Sequence, residues 1–322
     1  SLRTWTRPIE ELGKKHKRRK LAIEDKESIK WLHSLDHLKV VHPRCPTTQL
    51  VSVCDREGDI YDLFTRARPE GVDWLVRAAW NRHVDHPERY LWESMQHAPV
   101  LGTTSLRIPG RGKQAERVAN MTVRSAPLRV HAPRGRHHQG PDNVDVVAVW
   151  AIEASPPEGI EPVEWMLLTS VPTHTLEQAL ERLSWYARRW TIETWHRVLK
   201  SGCQVEARQF GDITRFLRAT SLFAVIAWRI LFATLLGREE ADVSCDVLLQ
   251  RVEWEALYCR IHRTDKPPAE PPKLGDAVLW IAQLGGYLNR KHDRPPGATV
   301  LWRGFHALHE ISSMYLIMRK NE

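Results

Sequence analysis

The sequence predicts an α/β protein whose second half turns helical. Short β-branched segments surround a helical segment near the N-terminus, strand-like segments fill the middle, and helical apolar spacing dominates from Thr175 onward. These observations divide the 322 residues into four regions. They are a strand-and-helix region over 1–89, a β-rich region over 90–172, a helical region over 173–240 and a helical C-terminal region over 241–322.

The first region owes its predicted elements to apolar spacing. Ile29, Leu32 and Leu35 recur at helical spacing, and a β-branched run leads directly into Asp55. The predicted elements are a helix over 23–35, strands over 48–54 and 72–79, and a helical stretch over 60–67.

The remaining elements are separated by Pro- and Gly-containing loops. Thr175 is a predicted N-cap with Gln178 as its capping-box partner, and Ser201-Gly202 is the predicted end of that helix. The predicted strands cover 103–108, 117–123, 144–154 and 164–170. The predicted helices cover 175–200, 213–236, 246–263, 273–290 and 302–319.

Composition limits the classes of function. A net charge of +8 and a pI near 9.4 favour a polyanion partner, most often nucleic acid, and leave an ordinary basic enzyme open. The basic run Lys14–Lys20 is either a phosphate-contacting patch or a solvated loop.

Five cysteines without CxxC spacing suggest neither a disulfide framework nor a zinc site. No run approaches eighteen apolar residues and no signal peptide opens the chain, so we expect no membrane span.

Asp55 is the first candidate functional residue. It follows a predicted strand and opens the polar cluster Asp55–Asp59. An acid at the carboxyl end of such a strand projects towards the crevice where α/β sheets bind ligands, although Asp is also common at the start of ordinary loops. The position alone therefore leaves both interpretations open.

The predicted helix over 175–200 carries a second candidate acid, Glu193. At about 100° per residue, one narrow face gathers that acid with polar and cationic side chains, and the opposite side carries apolar ones. This pattern fits either an acid surrounded by cations or a surface helix with an i,i+4 ion pair. The polar face holds Tyr186, Arg189, Glu193, Arg197 and Lys200, and the apolar side holds Ile192, Trp195 and Leu199.

The spacing Tyr186-x2-Arg189-x3-Glu193-x6-Lys200 resembles the YREK signature of bacterial cut-and-paste transposases of the Tn-five type, within the IS-four insertion-sequence family. The string Asp55-Arg-Glu-x-Asp-Ile60 resembles the segment that holds that family's second catalytic Asp. Glu193 lies 138 positions further on (193 − 55), a gap typical of the family's β-rich insertion. The tail resembles the family's dimerisation domain at 284–286, 290–293, 296–297 and 301–304.

The resemblance implies a DDE-type RNase H-like core with a large β-rich insertion and an all-α C-terminal dimerisation region. In such enzymes carboxylates hold two Mg²⁺ or Mn²⁺ ions roughly 3.5–4 Å apart while DNA is cut, converted to a hairpin and transferred. By resemblance the metal ligands are Asp55 and Glu193, and Tyr186, Arg189 and Lys200 contact transposon-end phosphates.

The expected DNA contacts include three further residues. By resemblance Trp165 stacks on an extruded base, and its alternative interpretation is a core tryptophan of a strand. Arg77, at the end of its predicted strand, is a further expected phosphate contact or an ordinary strand-end arginine. Arg197 is a weaker DNA-binding candidate that rests on helix geometry alone. The expected partners are double-stranded DNA and a second copy of the chain, in a bacterial cytoplasm.

One departure from the family pattern concerns the first catalytic Asp. Only 54 residues precede Asp55, and neither Asp25 nor Asp36 follows a candidate strand. We therefore expect an N-terminally truncated core with an exposed strand edge, poor metal binding and no DNA cleavage. The alternatives are a truncated transposase that inhibits by dimerising, another RNase H-like nuclease, or a structural DNA-binding module.

Overall fold

The computed structural model describes residues 21–108, 117–134 and 140–319. The described residues form two compact units, which are here named the sheet unit (up to Arg189) and the helical unit (from Trp190 onward). The basic run Lys14–Lys20 lies outside the described residues.

The sheet unit is built on one six-stranded sheet. The strand order is β1-β2-β6-β5-β4-β3; β1 and β2 are parallel, and the other neighbouring strands are antiparallel. The strands of the predicted β-rich region thus join the same sheet as β1 and β2. The elements are α1 (Ile29–Val41), β1 (Leu50–Cys54), α2 (Tyr61–Phe64), β2 (Val72–Arg77), α3 (Leu91–His97), β3 (Val100–Ile108), β4 (Arg117–His131), β5 (Asn143–Glu153), β6 (Glu164–Thr169) and α4 (Leu176–Arg188).

Helices cover both faces of this sheet. Side chains alternate along β2, so Trp74 packs in an apolar cluster with the α1–α3 side, where it stacks on Phe64 at 4.7 Å. Leu75 packs in a second cluster on the α4 side, with Leu183 and Tyr186. Because both faces are covered, β2 has four apolar residues in succession except at Asp73, namely Val72, Trp74, Leu75 and Val76.

Several predicted elements need correction. The first helix begins at Ile29, after a 3₁₀ turn over Ile23–Asp25, and α3 was not predicted. The strand predicted to end at 123 continues to His131 through Pro127. Proline fits there because β3 pairs with β4 only over residues 117–124, so no ladder bond to β3 is required at Pro127.

The predicted single helix over 175–200 is wrong. The Thr175–Gln178 capping box is present, but α4 ends at Arg188 and the next helix begins at Thr191. Between them the Arg189 N–H bonds three residues back, to the Tyr186 carbonyl at 3.1 Å, which is a tighter turn than an α-helix makes. Ile192 was predicted to lie on the apolar side of that helix, and this prediction is also wrong, because the residue is 44% exposed.

The helical unit holds five helices among its described residues. Its core includes Ile230, Leu257, Ile281 and Leu301. A wide turn over Val198–Gly202 follows the first helix. The helices are α5 (Thr191–Arg197), α6 (Ile213–Glu239), α7 (Arg251–His262), α8 (Leu274–Leu284) and α9 (Ala298–Arg319).

Among the described residues, helix α6 is long and apolar enough to cross a membrane by length and composition alone, so the expected absence of a membrane span stays a prediction. The helix has 27 residues and contains a window with a mean hydropathy of 1.9. Length and composition alone are weak evidence for a span, because a core helix of a soluble protein meets the same criterion; such a helix is mostly buried, however, whereas 28% of this window is buried. Helix α6 contributes Ala227 and Ile230 to the helical core, and its Arg229 pairs with Glu253 of α7 at 2.7 Å.

Candidate functional site

Three predicted site residues lie at one edge of the sheet, which we name the carboxyl edge. Strands β1 and β2 run parallel with Cys54 opposite Val76, so Asp55, which follows β1, and Arg77, the last residue of β2, lie at the same end. Strand β6 is antiparallel to β2, with Leu167 opposite Arg77, so Trp165 near its start lies at that end as well. Strand direction and register therefore bring together residues that are more than a hundred positions apart in sequence.

Asp55 is held by the turn that it begins. Its Oδ1 accepts a hydrogen bond from the Glu57 N–H at 2.9 Å, which caps a 3₁₀ turn over Arg56–Gly58. Gly58 is required there, because a Cβ atom would lie 2.4 Å from the Cys54 Cβ. The side chain of Asp55 stays 36% exposed, so this carboxylate can reach a ligand.

Arg189 lies beside Asp55. Its Nη1 is 3.9 Å from the Asp55 Oδ2, which is an ion-pair contact too long for a hydrogen bond. The same guanidinium lies 5.9 Å from the centre of the Tyr186 ring, and that ring packs edge-on against Trp165 at 5.3 Å. Asp55, Arg189, Tyr186 and Trp165 thus form one chain of contacts within the sheet unit.

Arg77 and Trp165 are connected through Glu164. The Arg77 Nη2 donates to the Glu164 carbonyl at 2.9 Å. The Glu164 Oε1 accepts from the indole nitrogens of Trp92 and Trp150 at 2.8 and 2.7 Å. These bonds fix the start of β6 and hence the backbone of Trp165. The Trp165 ring itself is partly buried against the α4-side cluster, which fits the alternative interpretation of a core tryptophan.

A buried ion pair that the sequence analysis missed joins the two loops of this edge. Asp59 accepts from the backbone N–H groups of Ala79 and Trp80 at 2.7 and 2.9 Å, and from the Arg82 Nε at 2.7 Å. Arg82 also donates to the Asp59 carbonyl at 2.8 Å. Asp59 and Arg82, here named the clamp, are buried and tie the loop after β1 to the loop after β2. Only the polar cluster Asp55–Asp59 hinted at it in the sequence.

The other predicted site residues belong to the helical unit. Glu193 lies in the first turn of α5, and the Lys200 Nζ pairs with the Glu206 Oε1 at 2.8 Å, with both side chains exposed. Arg197 lines a cavity of about 170 Å³ with Arg303. The predicted polar face is therefore divided between the units, since Tyr186 and Arg189 belong to the sheet unit.

The carboxyl edge offers part of a metal site. Asp55 supplies partly exposed carboxylate oxygens of the kind that Mg²⁺ prefers. Over residues 21–108, 117–134 and 140–319, however, no three His, Cys, Asp or Glu side chains gather into a group that could hold a metal ion. The described sheet-unit residues alone therefore do not fit a two-ion centre.

Helices α8 and α9 of the helical unit approach each other closely through glycine. A Cβ atom at Gly304 would lie 1.9 Å from the Ile281 carbonyl oxygen, and one at Gly285 would lie 2.0 Å from the Val300 carbonyl oxygen. Only glycine allows the two backbones to pack at this distance. Both glycines lie in the segments that resembled a dimerisation domain.

Comparison with known families identifies this part of the chain. Residues 225–316, from the middle of α6 to near the end of α9, match the family model described as Transposase Tn5 dimerisation domain. The resemblance seen at 284–286 and 301–304 is thereby confirmed. The match supports a Tn5-like transposase that forms a homodimer.

Proposed function

We propose that the protein is a DNA transposase of the DDE type that binds transposon ends, and that Asp55 and Glu193 are two of its catalytic carboxylates. The observation that carries the proposal is the contact between Asp55 and Arg189. It brings the arginine of the YREK spacing beside the strand-end acid of the DREx-DI string. The dimerisation-domain match and the net charge of +8 support the same function.

Arg189 is the proposed phosphate contact at this site. A guanidinium has five N–H donors in a planar fork, so it can hold a phosphate oxygen while remaining near a carboxylate. At 3.9 Å, Arg189 lies beside the Asp55 carboxylate without making a hydrogen bond to it.

The proposed reaction is in-line attack of water or a 3′-hydroxyl on a phosphodiester. Bound Mg²⁺ or Mn²⁺ would lower the pKa of the attacking oxygen and stabilise the leaving oxygen, and Asp55 and Glu193 are its proposed ligands. Around that reaction, Arg189 would hold the phosphate and Trp165 would stack on an extruded base. The RNase H-like description of the sheet unit belongs to this proposal too.

DNA binding tests the role of Arg189. The measurement is fluorescence anisotropy of a labelled duplex of about 30 base pairs, titrated at several salt concentrations. Arg189→Ala is expected to weaken binding and to lower the salt slope by about one.

Arg129→Ala is the matched control. Arg129 also faces one aspartate, Asp145, at 2.8 Å, but the strand register places it at the opposite edge of the sheet. Its removal is expected to leave the salt slope closer to that of the wild type. Equal effects of the two substitutions would contradict the proposed contact, and a wild-type protein with no salt-dependent duplex binding would refute the function.

A nicking assay in Mn²⁺ tests the carboxylates. Any nicking by the wild type should disappear in Asp55→Asn and in Glu193→Gln and persist in Glu57→Gln. Glu57 is a suitable control because it lies in the same turn as Asp55 but pairs with Lys30 at the exposed surface. Nicking that survives both carboxylate substitutions would refute the catalytic assignment. The expectation that this chain does not cleave DNA remains a prediction, which wild-type nicking would refute.

A further inference from the structure

The loop after β2 presents an exposed tryptophan at the carboxyl edge. Trp80 follows Arg77 by three residues, and 53% of its surface is exposed. Other tryptophans of the sheet unit are used internally: Trp74 is fully buried, and Trp92 and Trp150 donate to Glu164. Trp80 therefore differs from its neighbours in leaving a large aromatic ring in solvent.

The backbone that carries this ring is held in place. The clamp residue Asp59 accepts the N–H groups of Ala79 and Trp80 through one carboxylate oxygen and the Arg82 guanidinium through the other. Asp59 lies four residues after Asp55, so the same buried carboxylate fixes both loops. Burying a charged pair is costly, and here the pair holds the backbone that carries the exposed ring.

The surroundings of Trp80 favour a nucleic acid as its partner. Arg77 is the last residue of β2, three positions before Trp80, and Arg189 lies beside Asp55, which follows β1 at the same end of the sheet. An exposed aromatic ring at the same end of the sheet as these cations suits a polymer with negative phosphates and flat bases, because every base has a face that can stack.

We propose that Trp80 stacks on an unpaired nucleobase of the bound DNA, as a second aromatic contact in addition to Trp165. This inference rests on the proposed function and adds a recognition residue to the same site. The base must be unpaired and unstacked, since bases inside a duplex already stack on their neighbours.

The test compares two labelled DNAs with three forms of the full chain. One DNA is a paired duplex, and the other is the same duplex with about three unpaired nucleotides at one end. The proteins are the wild type, Trp80→Leu, which keeps apolar bulk without a stacking face, and Trp80→Phe, which keeps a smaller aromatic face. Melting curves of all three proteins establish that the fold is retained.

The expected result is selective. Trp80→Leu should bind the DNA with unpaired nucleotides about 5- to 100-fold more weakly than the wild type, and Trp80→Phe should recover most of that loss. Both variants should bind the paired duplex as the wild type does. Wild-type affinity of Trp80→Leu for the unpaired end, or an equal loss on both DNAs, would overturn the inference. Failure of the wild type to bind either DNA would instead overturn the proposed function.

Discussion

Replacing Asp59 by alanine is expected to destabilise the sheet unit strongly. The carboxylate is buried and receives two backbone N–H groups and the Arg82 guanidinium, with contacts of 2.6–2.9 Å. Alanine removes every one of these acceptors and leaves a guanidinium buried without its carboxylate. Breaking a buried pair in this way costs about 3–5 kcal/mol.

Urea denaturation followed by tryptophan fluorescence measures this loss. For an m value of about 1–3 kcal/mol/M, the sheet-unit transition should move to lower urea by more than about 1 M. Hydrogen exchange gives a local measurement, because the amides of Ala79 and Trp80 lose their acceptor and should exchange faster. Asp145→Ala removes an exposed aspartate that pairs with Arg129, so it should leave the transition nearly unchanged. Equal shifts for the two variants, with unchanged exchange at residues 79 and 80, would refute the role of the clamp.

Two further predictions concern pH and helix packing. Hydrogen bonding to Arg66 lowers the pKa of Asp36 from 3.8 to about 2. The pair therefore stabilises the fold above about pH 4, and this contribution is lost as the pH falls towards 2. Arg66→Gln should therefore reduce the difference in unfolding free energy between pH 6 and pH 3. The reduction should be under about 1 kcal/mol, because the pair is partly exposed. An unchanged difference in urea denaturation would contradict this prediction. Gly304→Ala would place a Cβ 1.9 Å from the Ile281 carbonyl oxygen, so it should lower the melting temperature of the helical unit and weaken the dimer in sedimentation velocity. Gly297→Ala, whose Cβ would meet nothing within 4 Å, is its control, and equal behaviour of the two variants would refute the packing argument.

Local sequence signals predicted much of the fold. The β-branched run before Asp55 forms β1, and the Thr175–Gln178 capping box begins α4 as expected. These features were predictable because strand composition, caps and turns depend on residues close together in the chain. The helix predicted over 273–290 is shorter than predicted, because α8 ends at Leu284, just before Gly285.

Features that depend on distant partners were not predictable. The helical spacing around Glu193 predicted one continuous helix, but the backbone tightens at Arg189 and a new helix begins at Thr191. Likewise α3 shows no strong periodicity, and its Leu91 and Met95 are recognisable as core residues only once the sheet is formed.

The candidate site shows the same division. By itself the sequence determined the strand-end acid Asp55 and the spacing of the tyrosine, arginine and lysine that resembles a transposase signature, because residue type and spacing are local properties. Only the tertiary structure placed Arg189 against Asp55, buried Asp59 with Arg82 and left Trp80 exposed. The physical reason is that burial and ion pairing depend on strand order and register, which bring distant residues to the same edge of the sheet.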